Sequence, residues 1–492
     1  MAAPDTAALG TVAARGAGIT VASQGGKLLI LLASTAVLSR LLGPADFGLL
    51  AVVLSVVALG ELVRDLGLPL AAVQAASLSR QQRVNLVWMN GFLGVVCAVV
   101  LVLVSPALAG LFSDERLTDV LPAVAPVFVL SGFSAQFRAE ITRSMRFGRL
   151  ALIELLPAAS GLLVAVVVAA GTGSYWALVL QQVVAAVVAA GLSTVWGGFA
   201  PGLPRRAPMG ELVGFGAGLM GTQVLAYAAK NADTILIGAV LGARPLGLYS
   251  RAYQLAVAPL TQVQAPLTRV AVPVLARAWP DRERFSRFLV RGQLYGGLVV
   301  AVGYCALAGL GEQVVAVLLG PQWSDSVPIF RALCIGGVFR ALAQVNFWSF
   351  VSSGRTTSQL RLYLVTQPLI VVLMALGLNL GVVGVAGGHA LGYLVAWLLG
   401  TVWAGRALQI GSRALLRPAL VHLVVWCLPV LLSTAAIARW VPGTWLPLGL
   451  GALGALVCLA TGSVLVPAVR ASVRTGVADM RRLRRRGSAA IA

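Results

Sequence analysis

The sequence predicts an all-α polytopic membrane protein with fourteen transmembrane helices. Of its 492 residues, 59% are hydrophobic and 11% are charged, whereas a soluble domain is about 25% charged. The mean hydropathy is +0.91, and many apolar runs exceed the length that a buried soluble helix needs. Such a chain cannot cover itself with polar surface in water. This composition excludes a soluble enzyme, a disordered chain and a disulfide scaffold.

Fourteen apolar stretches are each long enough to cross about 30 Å of hydrocarbon. The first is predicted to be a retained helix and not a signal peptide, because no small-residue cleavage site follows a short apolar core. The stretches are residues 18–40, 47–69, 86–110, 120–142, 150–171, 174–196, 212–240, 247–272, 289–311, 327–351, 359–380, 382–405, 415–437 and 443–468.

The arginines orient these helices. When the N-terminus is placed in the cytoplasm, 27 arginines fall in cytoplasmic segments, and the four on the other side are Arg40, Arg116, Arg244 and Arg439. Basic residues concentrate in cytoplasmic loops. The asymmetry therefore predicts that both termini are cytoplasmic in the cell (cytoplasmic) membrane. Adding or removing one helix would move every later loop to the other side of the membrane, and the asymmetry of the arginines would be lost.

An internal repeat divides the chain. Residues 42–49 (LGPADFGL) and 241–248 (LGARPLGL) share the pattern LGxxxxGL at an offset of 199, and a Gly-Arg pair recurs at 148–149 and 354–355. An even number of helices per repeat predicts two pseudo-symmetric six-helix lobes in the same orientation. The predicted domains are a cytoplasmic N-terminus (1–17), an N-lobe (18–199), a C-lobe (200–410), helices 13 and 14 (411–468) and a basic cytoplasmic tail (469–492).

Several functional classes are not supported by the sequence. The net charge of +21 is explained by cytoplasmic loops, so no nucleic-acid partner is expected. The five cysteines lack CxxC spacing and the two histidines are isolated, which predicts no metal site. Without a P-loop, a Ser-His-Asp set or paired carboxylates, the chain is predicted not to be an enzyme and to need no cofactor. Transport energy would come from a gradient, with a proton or sodium ion as the candidate coupling cation.

Once the 27 cytoplasmic and four outer arginines are set aside, six basic residues remain within the predicted spans, where a charge is costly and therefore indicates function. Lys27 and Lys230 are the only lysines of the chain. They occupy corresponding helices, since the offset of 199 aligns Lys230 with Leu31, one turn from Lys27. Each lysine belongs to a stripe of polar residues on one face of its helix. Two such faces predict a water-filled cavity lined by cations and suited to a phosphate or pyrophosphate. The other four basic residues are Arg251, Arg269, Arg331 and Arg340.

Simpler explanations stay open for some of these residues. Lys230 can pair with Asp233 at i+3, whereas Lys27 has no such acid in its own helix. Arg251 and Arg269 lie near helix ends and can snorkel to the interface. Glu61 can pair with Arg64.

Five segments give the chain a family resemblance. They are LGPADFG at 42–48, DLG at 65–67, MRF at 145–147, KNADTILIG at 230–238 and GLYSRAY at 247–253. With these segments, the chain resembles the Wzx-type (WzxC-like) oligosaccharide flippases. These form the polysaccharide exporter branch of the multidrug/oligosaccharidyl-lipid/polysaccharide (MOP) superfamily.

The resemblance implies two six-helix lobes around a central cavity, often with two further helices. It implies translocation of undecaprenyl-pyrophosphate-linked oligosaccharides between membrane leaflets for cell-surface polysaccharide biosynthesis, with a polymerase and chain-length machinery as partners. Asp233 and Arg251 carry over because they lie in the matching motif. Lys230 and Thr234 depart from it, since arginine is frequent at both positions in the family.

The site predictions combine the polar stripes with this resemblance. Asp233 and Glu61 are assigned to charge pairing or to ion coupling, with both roles left open. The predicted pyrophosphate ligands are Lys27, Lys230, Arg251 and Arg340. The predicted lining of the cavity is Gln24, Gln223, Tyr227, Asn231 and Tyr253.

Three alternatives differ in class. A lipid II flippase also has fourteen helices and a cationic cavity, and only the motifs favour the exporter branch. A multidrug/cation antiporter needs an acidic or aromatic pocket and has twelve helices. A polysaccharide polymerase would carry a large outer loop with arginines, which the sequence lacks.

Overall fold

The structure is a computed structural model that describes residues 6–75, 77–200, 202–214, 223, 227 and 231–465. Every regular element in these residues is helical, which confirms the predicted all-α class. Helices suit a membrane because each backbone group is satisfied within its own segment. The chain divides into two compact units, Met1–Gly247 and Leu248–Ala492.

The first unit contains nine described helices and the beginning of a tenth. They are α1 (Thr6–Leu41), α2 (Pro44–Asp65), α3 (Leu68–Gln74), α4 (Arg80–Phe112), α5 (Leu117–Val124), α6 (Pro126–Arg143), α7 (Phe147–Thr172), α8 (Trp176–Trp196), α9 (Ala232–Leu241) and the first turn of α10 (Ala243–Ala278).

The second unit contains the rest of α10 and nine further described helices. They are α11 (Arg282–Gly292), α12 (Leu298–Gly309), α13 (Gly311–Leu318), α14 (Ser326–Ser352), α15 (Thr356–Gly377), α16 (Gly381–Leu408), α17 (Ser412–His422), α18 (Leu428–Trp440) and α19 (Trp445–Leu465). Single π-helical turns at Gln293–Gly297 and Leu423–Cys427 join α11 to α12 and α17 to α18.

Local sequence signals set several helix boundaries. Before α4, Ser79 Oγ accepts a hydrogen bond from Gln82 N at 3.1 Å, and Gln82 Oε1 accepts one from Ser79 N at 2.9 Å. This reciprocal capping box satisfies backbone donors that the first turn leaves free. After α7, Gly173 adopts φ +62°, the left-handed conformation that glycine accepts without steric cost. The chain therefore turns there, and α8 packs back on α7.

Helices α15 and α16 form a hairpin with closely spaced backbones. A side chain at Gly384 would overlap the carbonyl of Gly377, and one at Gly388 would overlap the carbonyl of Leu373. The residue numbers of these contacts rise along α16 and fall along α15, which shows that the helices are antiparallel. Small residues at a four-residue spacing permit this approach between membrane helices.

The two copies of the LGxxxxGL motif touch each other. A side chain at Gly48, in α2, would overlap the carbonyl of Ala243, and a side chain at Gly247, in α10, would overlap the carbonyl of Pro44. The offset of 199 makes Pro44 equivalent to Ala243 and Gly48 equivalent to Gly247. The contact is therefore reciprocal, because the second glycine of each motif lies against the first helical residue of the other motif.

Ten helical stretches in the described residues are long and apolar enough to cross a membrane, or eleven if bent α12 and α13 make one span. One stretch, Thr356–Leu408, has 53 residues and contains the α15–α16 hairpin. A single straight helix of that size would measure about 80 Å, far more than a bilayer needs. The chain is a multi-pass membrane protein.

Candidate functional site

Helix α14 lies at the centre of the second unit, between α12 and α16. Two adjacent glycines allow both neighbours to come close. A side chain at Gly337 would lie 2.7 Å from the ring of Tyr304 in α12, and one at Gly336 would lie 3.3 Å from His389 Nδ1 in α16. Arg340 follows Gly336 by four residues, one helical turn further along the same face. The local sequence thus directs Arg340 towards α16.

Arg340 is a half-buried cation near the middle of its helix. It lies about 21 Å from the first residue of α14, since each residue adds about 1.5 Å. Its Nη1 lies 3.5 Å from the hydroxyl oxygen of Tyr253, and its Cζ lies 5.4 Å from the ring centroid of Tyr393. In the described part of the chain, no carboxylate lies within 4.0 Å of this guanidinium. Its charge faces aromatic rings, a cation–π arrangement.

Aromatic rings from α10 and α16 lie around Arg340. Tyr249 and Tyr253 are one turn apart on α10 and stack at 5.9 Å, and His389 packs on Tyr393 at 4.8 Å. The Tyr253 and His389 rings meet edge to face at 5.9 Å. His389 is 7% exposed, and its Nδ1 has no hydrogen-bond partner among the described residues. We call Tyr249, Tyr253, Arg340, His389 and Tyr393 the arginine–aromatic cluster.

Lys27 has a different environment in the first unit. Its Nζ lies 2.9 Å from Glu154 Oε2 in α7, although the sequence shows no acid beside Lys27 in its own helix. A side chain at neighbouring Gly26 would lie 2.9 Å from Leu155 Cδ2, so α1 and α7 are in close contact at this level. Lys27 is therefore neutralised by a carboxylate from a helix more than 120 residues away in sequence.

The other predicted pyrophosphate ligands are spread along the chain. Arg251 precedes Tyr253 by two residues on α10, and it lies on the opposite side of that helix because two residues rotate by about 200°. Lys230 lies outside the described residues. Among the predicted lining residues, Gln24 and Gln223 are exposed. Among the described residues of the predicted set, the structure brings Arg340 into contact with Tyr253 and, separately, Asn231 into contact with Tyr227.

The remaining predicted residues lie around the start of α9. Tyr227 donates from its hydroxyl to the carbonyl of Ser55 at 2.8 Å, and Asn231 Nδ2 donates to the carbonyl of Tyr227 at 3.0 Å. Asp233 is 7% exposed, and its Oδ1 accepts from Thr234 N at 2.8 Å. These contacts join Tyr227 to α2 and Asn231 to Tyr227.

Glu61 belongs to a charged group at the end of α2. Arg64, 5% exposed, lies 3.6 Å from Glu61 Oε1 and 2.6 Å from Asp65 Oδ1. It also donates to the hydroxyl of Ser131 in α6. Arg64 thus connects two acids of α2 to a hydroxyl of α6, and removing either acid would leave a buried charge less well compensated.

Arg116, between α4 and α5 and outside the spans, is neutralised in the same way. It lies 2.7 Å from Asp114 Oδ2 and 3.2 Å from Asp46 Oδ1, and its guanidinium lies 5.4 Å from the Tyr175 ring. The hydrogen bonds to Asp114 raise the pKa of Arg116 above its ordinary value. Arg340 therefore differs from Arg64 and Arg116, which are both paired with acids.

Four residues of these sites were not predicted from the sequence: Glu154, Tyr249, His389 and Tyr393. Glu154 carried one available signal, because it is an acid within an apolar stretch, where charges are rare. His389 and Tyr393 carried one too, since their spacing of four places them on one face of α16. Neither signal identifies the partner helix.

The fold defines a class of protein. The chain superposes on a structure of the lipid II flippase MurJ with a TM-score of 0.64 at 11% identity, covering 91% of this chain and 98% of that one. It superposes on an inward-facing multidrug resistance MATE transporter of the MOP superfamily with a TM-score of 0.58 at 17% identity, covering 78% and 94%. These likenesses show the fold, which is the MOP fold shared by MATE and MurJ proteins.

The sequence comparisons give the family within that fold. A profile of the polysaccharide biosynthesis protein family matches residues 37–328, and the chain belongs to this family. It is 25% identical over 378 residues to the lipopolysaccharide biosynthesis protein WzxC of Escherichia coli K12, covering 74% of each chain. It is also 25% identical over 326 residues to the succinoglycan biosynthesis transport protein ExoT of Rhizobium meliloti, covering 65% of each.

The family resemblance stated from the sequence is confirmed. The chain is a Wzx-type transport protein of polysaccharide biosynthesis, in the MOP superfamily, and not an enzyme.

Proposed function

We propose that this chain moves undecaprenyl-pyrophosphate-linked oligosaccharides from the inner to the outer leaflet of the cytoplasmic membrane by alternating access. The observation that carries the proposal is Arg340, a mid-span cation surrounded by aromatic rings with no carboxylate at its guanidinium in the described residues. Its charge is free to attract an anionic headgroup. The names of the relatives, which concern lipopolysaccharide and succinoglycan, support a glycan as the cargo.

The arginine–aromatic cluster has groups for both parts of such a substrate. A guanidinium presents a planar fork that matches two phosphate oxygens at once. Tyrosine rings have an apolar face and a polar edge, which suits a sugar with its C–H faces and hydroxyl groups. The Nδ1 of His389, which has no partner among the described residues, can donate to or accept from one hydroxyl group, according to its tautomer.

Beyond the cluster, the proposal keeps the residues predicted from the sequence. Asp233 and Glu61 stay assigned to charge pairing or to coupling of a proton or sodium ion. Lys27, Lys230 and Arg251 are proposed as further ligands of the pyrophosphate. The path of the sugar is proposed to include Gln24, Gln223, Tyr227, Asn231 and Tyr253.

We also propose fourteen membrane crossings, with both termini cytoplasmic and the lobes divided between residues 199 and 200. The α15–α16 hairpin supports two crossings within one apolar stretch. A variant without its five cysteines would carry single cysteines for labelling from outside intact cells. Those at Gly173, Ser324 and Arg439 should react, and those at Arg206, Asp281 and Arg413 should not. One reversed position would disprove this orientation.

A transport assay with defined substrates tests the proposed function. The purified chain would be reconstituted in vesicles with fluorescent undecaprenyl-pyrophosphate oligosaccharide, with lipid II, or with a cationic dye. Protection of the headgroup from an impermeant quencher reports translocation. We expect movement of the oligosaccharide lipid at least tenfold above protein-free vesicles. Faster movement of lipid II would favour a peptidoglycan precursor flippase, and movement of the dye alone would favour a drug antiporter.

A further inference from the structure

Glu154 occupies an unusual place among the acids of the chain. In the ten apolar spans of the described residues, every other Asp or Glu lies within four residues of a span end. Glu154 lies seven residues into α7, about 10 Å along its axis. A carboxylate at that depth is costly unless a cation neutralises it. The residue that does so is Lys27, at 2.9 Å.

The pair is accessible as well as deep. The side chains of Lys27 and Glu154 are 35% and 30% exposed, so a third group can approach the ammonium without unpacking the helices. The contact between Gly26 and Leu155 holds α1 and α7 together beside the pair. A charge partner can therefore be exchanged here while the helix packing stays in place.

We propose that Glu154 is a specificity-determining residue, which occupies Lys27 until a headgroup with more than one negative charge displaces it. The inference rests on the proposed function, because it takes Lys27 as a pyrophosphate ligand. An ammonium attracts an anion in proportion to the anion's charge. A phosphodiester has one negative charge, as Glu154 has, and gains little by replacing it. A pyrophosphate has more charge and gains more.

This exchange would solve a selectivity problem of the membrane. Ordinary phospholipids with a single phosphodiester far outnumber any lipid-linked sugar, and a bare lysine in a cavity would bind them. Discrimination often needs an element that disfavours the wrong ligand. A fixed carboxylate beside Lys27 is such an element, because it competes with singly charged lipids and repels them.

The test measures binding of two lipids to the purified full-length chain, undecaprenyl pyrophosphate and phosphatidylglycerol. Native mass spectrometry gives the dissociation constant of each lipid. The ratio used here is that of phosphatidylglycerol divided by that of undecaprenyl pyrophosphate. In Glu154→Gln the ammonium has no competitor, so phosphatidylglycerol should bind about tenfold more tightly, the size of one charge-assisted contact. Pyrophosphate binding should improve less, so the ratio falls. Glu154→Asp keeps the charge on a shorter side chain, further from the ammonium, so its ratio should lie measurably below that of the parent chain and above that of Glu154→Gln.

Glu140→Gln is the matched control. Glu140 pairs with Arg83 at 3.4 Å with comparable exposure, 34% and 21%, but it lies near the end of its span. We expect its ratio to equal that of the parent chain. If Glu154→Gln does not fold, the shorter carboxylate of Glu154→Asp still serves, because it should lower the ratio measurably.

Two outcomes separate this inference from the proposed function. If Lys27→Gln weakens pyrophosphate binding while Glu154→Gln and Glu154→Asp leave the ratio unchanged, Glu154 is only a structural partner and the inference fails. If Lys27→Gln leaves pyrophosphate binding intact, Lys27 is not a headgroup ligand, and both the inference and that assignment fail. The Arg340 assignment would be unaffected.

Discussion

Lys27 and Arg340 are both cations inside membrane spans, and the sequence predicts the same role for both. The structure gives them opposite environments. Lys27 lies 2.9 Å from a carboxylate, whereas Arg340 lies beside the tyrosines 253 and 393 with no acid at its guanidinium in the described residues. The presence of a charged residue within a span therefore does not by itself indicate a ligand-binding role. The partner decides whether that charge is available to a ligand.

The largest effect is expected for Arg340→Gln. Loss of a charge-assisted contact to a headgroup should lower the initial rate of translocation in vesicles about thirtyfold or more. Arg340→Lys should keep part of the activity, because the charge remains and the planar fork is lost. Arg331→Gln is the control, since Arg331 is exposed on the same helix. Equal rates in Arg340→Gln and the parent chain would show that the Arg340 charge is not used to bind the headgroup.

Lys27→Gln should lower the rate by about tenfold, less than Arg340→Gln, because part of the Lys27 charge is already neutralised. It should also lower the melting temperature, since a lone Glu154 is left in the span. Adding Glu154→Gln should restore the melting temperature but not the transport. Recovery of transport in the double variant would instead make the pair purely structural, while Lys27→Arg should keep partial activity in either case.

Asp233→Asn tests whether Lys230 is paired with a carboxylate, as Lys27 is, or has no such partner, as Arg340 has none among the described residues. If the two residues form a pair, the single change should reduce transport severalfold, and adding Lys230→Gln should restore part of it. A lone buried charge costs more than the removal of both partners. If the double variant is no better than Asp233→Asn, Asp233 has another role, and coupling of a proton or sodium ion is the next one to measure through gradient dependence.

The smallest effect is expected for the ring that faces Arg340. Tyr393→Leu removes a cation–π contact of about 0.5–2 kcal/mol within the protein, which should lower the melting temperature slightly and, because the guanidinium loses a positioning partner, lower substrate affinity by a few fold. Tyr393→Phe keeps the ring and should bind almost as the parent does. Equal losses in both variants would mean that the hydroxyl group matters and the ring face does not.

Much of the fold could be predicted because membrane physics acts on local sequence. The apolar runs that predicted an all-helical membrane protein need no knowledge of tertiary contacts, and the orientation predicted from the arginines stays a prediction. The site was less predictable because its partners come from distant segments. Glu154 reaches Lys27 from α7, and Tyr393 reaches Arg340 from α16. The position of Arg340 within an apolar stretch could be read from the sequence, whereas its aromatic surroundings depend on the packing of three helices, and its role as a ligand stays a prediction.

The reciprocal contact at Gly48 and Gly247 gives the sequence repeat a structural meaning. Position 48 meets the counterpart of position 44, and position 44 meets the counterpart of position 48. That pattern is the signature of an isologous interface, in which one patch pairs with its own copy about a two-fold axis. Residues 42–49 and 241–248 therefore supply the two sides of a self-complementary contact. A bulky residue at either Gly48 or Gly247 would displace the same pair of helix starts, from opposite sides.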